Sequence, residues 1–169
     1  MKTAFLKVII FAFGFFPILA EAGYQLGSGF NSATGGRIVP SINLGVGSES
    51  FRVLFSSTGV ATSSYYQSSY TLGAYWTRNA GEILGGSIVT GFGAATLYSE
   101  RGFQDSASTL EKKTDYVLGP AFFSQWNLLG PIFIAVEGIY GIIGPSNRYY
   151  DLATLNARDH VNFIFGVSL

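Results

Sequence analysis

His160-Val161-Asn162-Phe163-Ile164-Phe165-Gly166-Val167-Ser168-Leu169 closes the chain. Val161, Phe163, Phe165, Val167 and Leu169 fall on one face of an extended backbone. His160, Asn162, Ile164, Gly166 and Ser168 fall on the other. Side chains alternate across a strand with a period of two, so this stretch reads as a strand with one apolar face. A single strand of this kind does not separate a soluble sandwich from a membrane barrel. Recurrence of the pattern and the placement of charge do.

The pattern recurs seven times upstream. Tyr24, Leu26 and Phe30 alternate with Gln25, Gly27, Gly29 and Asn31. Ile42, Leu44 and Val46 alternate with Asn43, Gly45 and Gly47. Phe51, Val53 and Phe55 alternate with Arg52, Leu54 and Ser56. Tyr70, Leu72, Ala74 and Trp76 alternate with Thr71, Gly73 and Tyr75. Leu84, Ile88, Thr90 and Phe92 alternate with Gly85, Ser87, Val89, Gly91 and Gly93. Tyr116, Leu118, Pro120 and Phe122 alternate with Val117, Gly119 and Ala121. Ile132, Ile134, Val136 and Tyr140 alternate with Phe133, Ala135, Glu137 and Gly141. The predicted strands are 23–31, 41–47, 51–58, 69–76, 83–98, 115–126, 131–142 and 159–169. Their connections alternate in length: 47–50, 77–82 and 127–130 are short, whereas 32–40, 59–68, 99–114 and 143–158 are long. Short turns at one end and longer loops at the other are the habit of transmembrane barrels.

Charge placement separates the two architectures. Beyond residue 22 there are 17 charged residues, and only Arg52 and Glu137 lie well inside a predicted strand. A charged Arg or Lys on a lipid-facing midplane position costs ~2–4 kcal/mol, so a barrel keeps charge off its strands. A soluble sandwich would spread charge over its outer faces.

Composition agrees. The 169 residues carry ten Lys+Arg and ten Asp+Glu, a formal net charge of zero, with 48% hydrophobic and 12% charged residues. The balance excludes a nucleic-acid binder, which needs a basic excess. There is no Cys and one His, which excludes thiolate and multi-His metal sites. No cofactor motif is present: Gly85-Gly86 and Gly91-x-Gly93 resemble fragments of phosphate loops but precede no helix or Lys.

At the N-terminus, Lys2 and Lys7 precede Val8–Ala20, VIIFAFGFFPILA, and then Glu21-Ala22. A positive start, a short apolar run and a small-x-small end predict a secretory signal peptide over 1–22, cleaved before Gly23. No later stretch is apolar for the ~18 residues of a membrane helix. A chain that enters lipid without such helices must close into a barrel. The reading is all-β: an eight-stranded antiparallel transmembrane β-barrel over 23–169, with short periplasmic turns and four longer outer loops. An even strand number puts both chain ends in the periplasm.

In size, strand count and loop alternation the chain resembles the small eight-stranded outer-membrane barrels of OmpA/OmpX type. The terminal strand carries the most specific likeness, through Phe163, Phe165, Val167 and Leu169. In that family such a strand, usually ending in Phe, is read by the outer-membrane insertion machinery. The resemblance implies the bacterial outer membrane as location and its bilayer and that machinery as partners. No loop ligand can be named from it.

Three inward polar residues are the candidate lumen groups: Arg52, Glu137 and Asn162. In an open lumen, Glu137 would set cation preference. In a filled one, it is a hydrogen-bonded structural group. Eight strands leave an interior just wide enough for side chains, which favours the second. Alternation also predicts that Phe163 tolerates no charge whereas Asn162 accepts other polar groups. His160 with Asp159 raises an enzymatic alternative, because barrels that modify lipid A use a His with Ser or Asp near that level. Here the sequence is His160-Val161-Asn162, without Ser, and His160 reads as a solvated or capping strand-end residue. The inward glycines fit either a narrow water path or room for Tyr75, Phe123 and Phe133 to fold across the lumen. Tyr24, Trp76, Tyr98, Tyr116 and Trp126 read as aromatic girdles, as do Tyr65-Tyr66 and Tyr149-Tyr150. The expectation is a non-enzymatic barrel with a structural or surface-interaction role. A narrow porin-like channel is the alternative.

Overall fold

A computed structural model describes residues 23–33, 37–61, 65–104, 110–128, 130–143 and 159–169. The expected signal peptide and the Tyr149-Tyr150 pair lie outside them. Eight strands run β1 (Gly23–Ala33), β2 (Arg37–Gly47), β3 (Phe51–Ala61), β4 (Tyr65–Ile83), β5 (Gly86–Gln104), β6 (Leu110–Asn127), β7 (Ile132–Tyr140) and β8 (Asp159–Ser168). They pair in sequence order as a closed barrel. All eight pairings are antiparallel. The terminal strand closes the ring, pairing β1 from Gln25↔Ser168 to Asn31↔Asn162 and β7 from Ile132↔Val167 to Tyr140↔Asp159. Closure removes every edge, which is what lipid demands of a sheet.

The faces follow the alternation on all eight strands. Leu26, Phe30, Ile42, Leu44, Leu72, Phe92, Phe122, Phe163 and Phe165 are exposed on the outside. Buried inside are Leu54, Tyr75, Phe123, Phe133 and Ile164, with a large set of polar groups. An apolar exterior around a partly polar interior is the inverse of a soluble core. Aromatic rings meet across the outer surface, with Phe55–Tyr70 and Tyr70–Tyr98 stacked at centroid distances of 6.4 and 6.5 Å.

Two expectations are corrected. First, much of the expected long connections is strand. Of the expected long connections 32–40, 59–68 and 99–114, strands take up all but 34–36, 62–64 and 105–109. Beyond the lipid band neither face needs to be apolar, so hydrophobic alternation fades while the backbone ladder continues. The ladder itself reaches Tyr65↔Phe103 and Gln104↔Leu110. β4 and β5 have 19 residues each and β6 has 18. At ~3.3 Å per residue such strands run ~60 Å, whereas a ~25 Å apolar band crossed at a ~40° tilt needs only about ten residues. The β4–β5–β6 sector therefore projects well past the band.

Second, residues 77–82 do not form the β4–β5 turn. The strand continues through them, with a register shift between Asn79 and Gly81. Gly81 takes φ 126° and its N–H donates to Asn79 Oδ1 at 2.8 Å. Asn and Gly here build a bulge, not a hairpin. The turn is Leu84-Gly85, both at positive φ (51° and 78°), flanked by the pair Ile83↔Gly86. Positive φ at both central residues is the two-residue hairpin geometry that matches strand twist.

Candidate functional site

The lumen is filled at mid-height by a polar network. Register sets Glu137 of β7 beside Asn162 of β8, and both side chains are 0% exposed. Asn162 Nδ2 donates to Asn43 Oδ1 at 2.8 Å, to Ser56 Oγ at 2.9 Å and, at 3.4 Å, to Glu137 Oε2. Ser41 Oγ donates to Asn162 Oδ1 at 3.1 Å, and Asn43 Nδ2 donates to Ser41 Oγ at 3.0 Å. Ser41, Asn43 and Asn162 thus form a closed cycle. Tyr75 crosses from β4 and donates its hydroxyl to Glu137 Oε1. It lies over Gly73, where a Cβ would stand 2.2 Å from the Tyr75 hydroxyl. Here a missing side chain makes room for an aromatic ring, as one of the two glycine readings anticipated. Phe133 lies over Gly166 in the same way.

Nearer the short-turn end, Phe123 packs 5.6 Å from Tyr75, and the Arg52 guanidinium sits 5.1 Å from the Phe123 centroid. Arg52 is 8% exposed. Its Nη1 donates to Gln125 Oε1 at 2.5 Å. Arg52 therefore does not pair with Glu137. The three candidate lumen residues divide into an Asn162–Glu137 layer and a separate Arg52–Gln125 layer. Asn162 is also more constrained than alternation alone implies, because its amide serves both as donor and as acceptor.

Toward the other end, His160 is 2% exposed, and its Nε2 lies 2.8 Å from Asn31 Nδ2. It is not a solvated strand-end residue. Its position on β8 has inward parity, and β1 places Asn31 within reach. Ser69 Oγ donates to Ser99 Oγ at 3.0 Å further along. On the outside, Tyr66 donates to Glu100 at 2.9 Å. Among the described residues, no group of three or more His, Asp or Glu is gathered as a metal site.

Alternation identified the inward parity of Gln25, Asn43, Ser56 and Tyr75, but not which of them meet. Gln125, which carries the same inward parity as Phe123, was missed, as were Ser41 and Asn127. Parity tells which side of the wall a residue occupies; contacts across a lumen depend on strand stagger.

Eight antiparallel strands in a closed ring, apolar outside and packed with polar and aromatic side chains inside, make the fold of the small outer-membrane barrels of OmpA/OmpX type. Among solved structures, the chain is similar to Ail, the attachment invasion locus protein of Yersinia pestis. In the complex with the heparin analogue sucrose octasulfate, identity is 14% and the TM-score 0.53, over 87% of this chain and 96% of that chain. For a second Ail structure, identity is 12% and the TM-score 0.52, over 87% and 95%. No protein-family model and no curated protein matches the sequence.

Proposed function

We propose that the chain is an integral barrel of the bacterial outer membrane that works without catalysis, by holding an interaction surface at its outer end. In this reading the segment 1–22 is a signal peptide removed before Gly23, and both ends of the mature chain lie in the periplasm. The insertion machinery recognises the β8 alternation ending in Leu169. The observation that carries the reading is the filled lumen. Tyr75, Glu137 and Asn162 occupy its mid-height with no exposure, which disfavours the channel alternative. An anchor needs such a rigid interior; a pore does not.

Two further observations support the surface role. The β4–β5–β6 sector extends beyond the length that lipid requires. The fold is also shared with a protein described as an attachment invasion locus product. The charges at or beyond the predicted outer strand ends are balanced, six basic (Arg37, Arg101, Lys112, Lys113, Arg148, Arg158) against six acidic (Glu100, Asp105, Glu111, Asp115, Asp151, Asp159). Net attraction to a polyanion such as a sulfated glycan is therefore not expected. The partner is a protein or neutral glycan surface met by polar and tyrosine side chains.

The test has two arms. Planar-bilayer recordings of the refolded protein should show no steady conductance. Replacing residues 100–113 by a two-residue turn should leave the barrel folded but abolish adhesion of cells expressing it to host-cell matrix. Stable openings in the first arm, or unchanged adhesion in the second, would refute the reading.

A further inference from the structure

The end of the barrel that holds Gly23 and Leu169 opens into a cavity of about 360 Å³. Its wall includes Arg52, Gln125, Asn127, Ser87 and Ser168, with Glu49 at the rim. We infer that this vestibule is a binding site for a small soluble oxyanion, a carboxylate or phosphate, gripped by Arg52.

The argument starts from the guanidinium. It has five N–H donors in a planar fork. Among the described residues it makes one hydrogen bond, to Gln125 Oε1, and one ring contact, with Phe123; no carboxylate pairs with it. A buried charge without a counter-charge is unfavourable, and proteins otherwise pair it. Here its remaining donors share the wall of an open cavity. The planar fork matches two oxygens of a carboxylate or phosphate.

The surrounding amides are aligned to the same end. Gln125 Oε1 accepts from Arg52 and also from Gln25 Nε2 at 2.9 Å. Gln125 Nε2 then donates to Asn127 Oδ1, and Asn127 Nδ2 donates to Ser87 Oγ at 2.9 Å. Gln25 Nε2 also approaches Ser168 Oγ at 3.2 Å. Each amide is oriented by its neighbour, so none is free to flip. Ser87 and Ser168 both accept in this network, which leaves their own O–H groups to donate into the cavity. The wall therefore presents a guanidinium and two hydroxyl donors. Among the residues lining the cavity the one carboxylate is Glu49, which is exposed at the rim and outside the donor network; Glu82, the exposed register partner of Ser87, stands beside the wall. The site faces the opposite end from the proposed interaction surface and does not depend on it.

The experiment uses the refolded chain in maltoside micelles, which contain no phosphate, in buffer free of oxyanions. Acetate and inorganic phosphate are titrated separately, at constant ionic strength, while the Arg52 Nε–Hε and the Gln125 and Asn127 side-chain amide signals are followed by NMR. A saturable shift of all three groups is expected with at least one probe. Arg52→Gln should weaken it tenfold or more, and Arg52→Lys, which keeps charge but loses the fork, severalfold. Glu49→Gln should tighten it about two- to threefold, the scale of an exposed charge effect. If Arg52→Gln does not refold, Arg52→Lys and Glu49→Gln carry the test. Linear, non-saturating shifts, or equal affinity in the Arg52 variants, overturn the inference. Transfer to phosphatidylglycerol nanodiscs without free anion separates the sources. An Arg52 signal already at its saturated position there would make the ligand a lipid headgroup and overturn the soluble-anion assignment.

Discussion

Asn162→Ala removes the hub of the lumen network, and its consequence can be worked from the geometry. The side chain makes three well-formed bonds, to Asn43 at 2.8 Å, Ser56 at 2.9 Å and Ser41 at 3.1 Å. The fourth, to Glu137 at 3.4 Å, is long and adds little. A typical intramolecular hydrogen bond contributes about 1 kcal/mol net, so the three together contribute ~3 kcal/mol. The substitution also leaves Asn43 Oδ1 and Ser56 Oγ short of a donor in a buried place, which pushes in the same direction. The assay is a urea titration of the protein folded into lipid vesicles, followed by fluorescence of Trp76 and Trp126, with heat-modifiability on a gel as the check of folding. A double-mutant cycle with Asn43→Ala should show coupling of about 1 kcal/mol, as expected for directly bonded neighbours. A loss below about 1 kcal/mol together with no coupling would refute the assignment of Asn162 as the hub.

Four other perturbations have defined outcomes. Glu137→Gln should change stability by less than about 1 kcal/mol in the same titration, since the amide oxygen can still accept from Tyr75 and only the long Asn162 bond is lost. Bilayer recordings should stay silent with either residue at position 137, and ion-selective openings that change with Glu137→Gln would restore the channel reading. Phe163→Arg, on the lipid face, should destabilise by ~2–4 kcal/mol near the midplane, and an unchanged urea midpoint would mean the face is misassigned. Gly73→Ala forces the Tyr75 ring from its place and should lose ~1–3 kcal/mol, with much of the loss relieved in a Tyr75→Leu background. Deleting residues 165–169 removes pairing to both β1 and β7 and should abolish the heat-modifiable folded band.

Why the alternation was so informative is visible in β8. Phe163 and Phe165 must meet lipid while Asn162 and Ile164 must fill the lumen, and a one-residue slip would reverse every one of these. The same constraint acts on each strand where it crosses the apolar band, so those stretches declare themselves. It stops acting where the band ends. The outer parts of β4, β5 and β6 carry residues such as Gln67, Ser68, Glu100 and Arg101, which neither face requires to be apolar, and they read as loops. Asn79-Ala80-Gly81 fails for a related reason. Its residue types suit a turn and a bulge equally well, and only pairing with β5 selects between them.

The site divides along the same line. Local sequence determined that Arg52, Glu137 and Asn162 face inward, because a lipid-facing charge or amide is too unfavourable to keep. It determined the closed eight-stranded barrel as well, since strands without edges are what a chain lacking a membrane-spanning helix must form in lipid. The tertiary structure alone decided that Asn162 joins Glu137 and Asn43, that Tyr75 reaches Glu137 over Gly73, and that Arg52 stands apart from the carboxylate beside Gln125. Those meetings span β2, β3, β4, β6, β7 and β8. They depend on how each strand is staggered against the next around the ring, and a period of two along one strand carries no information about stagger.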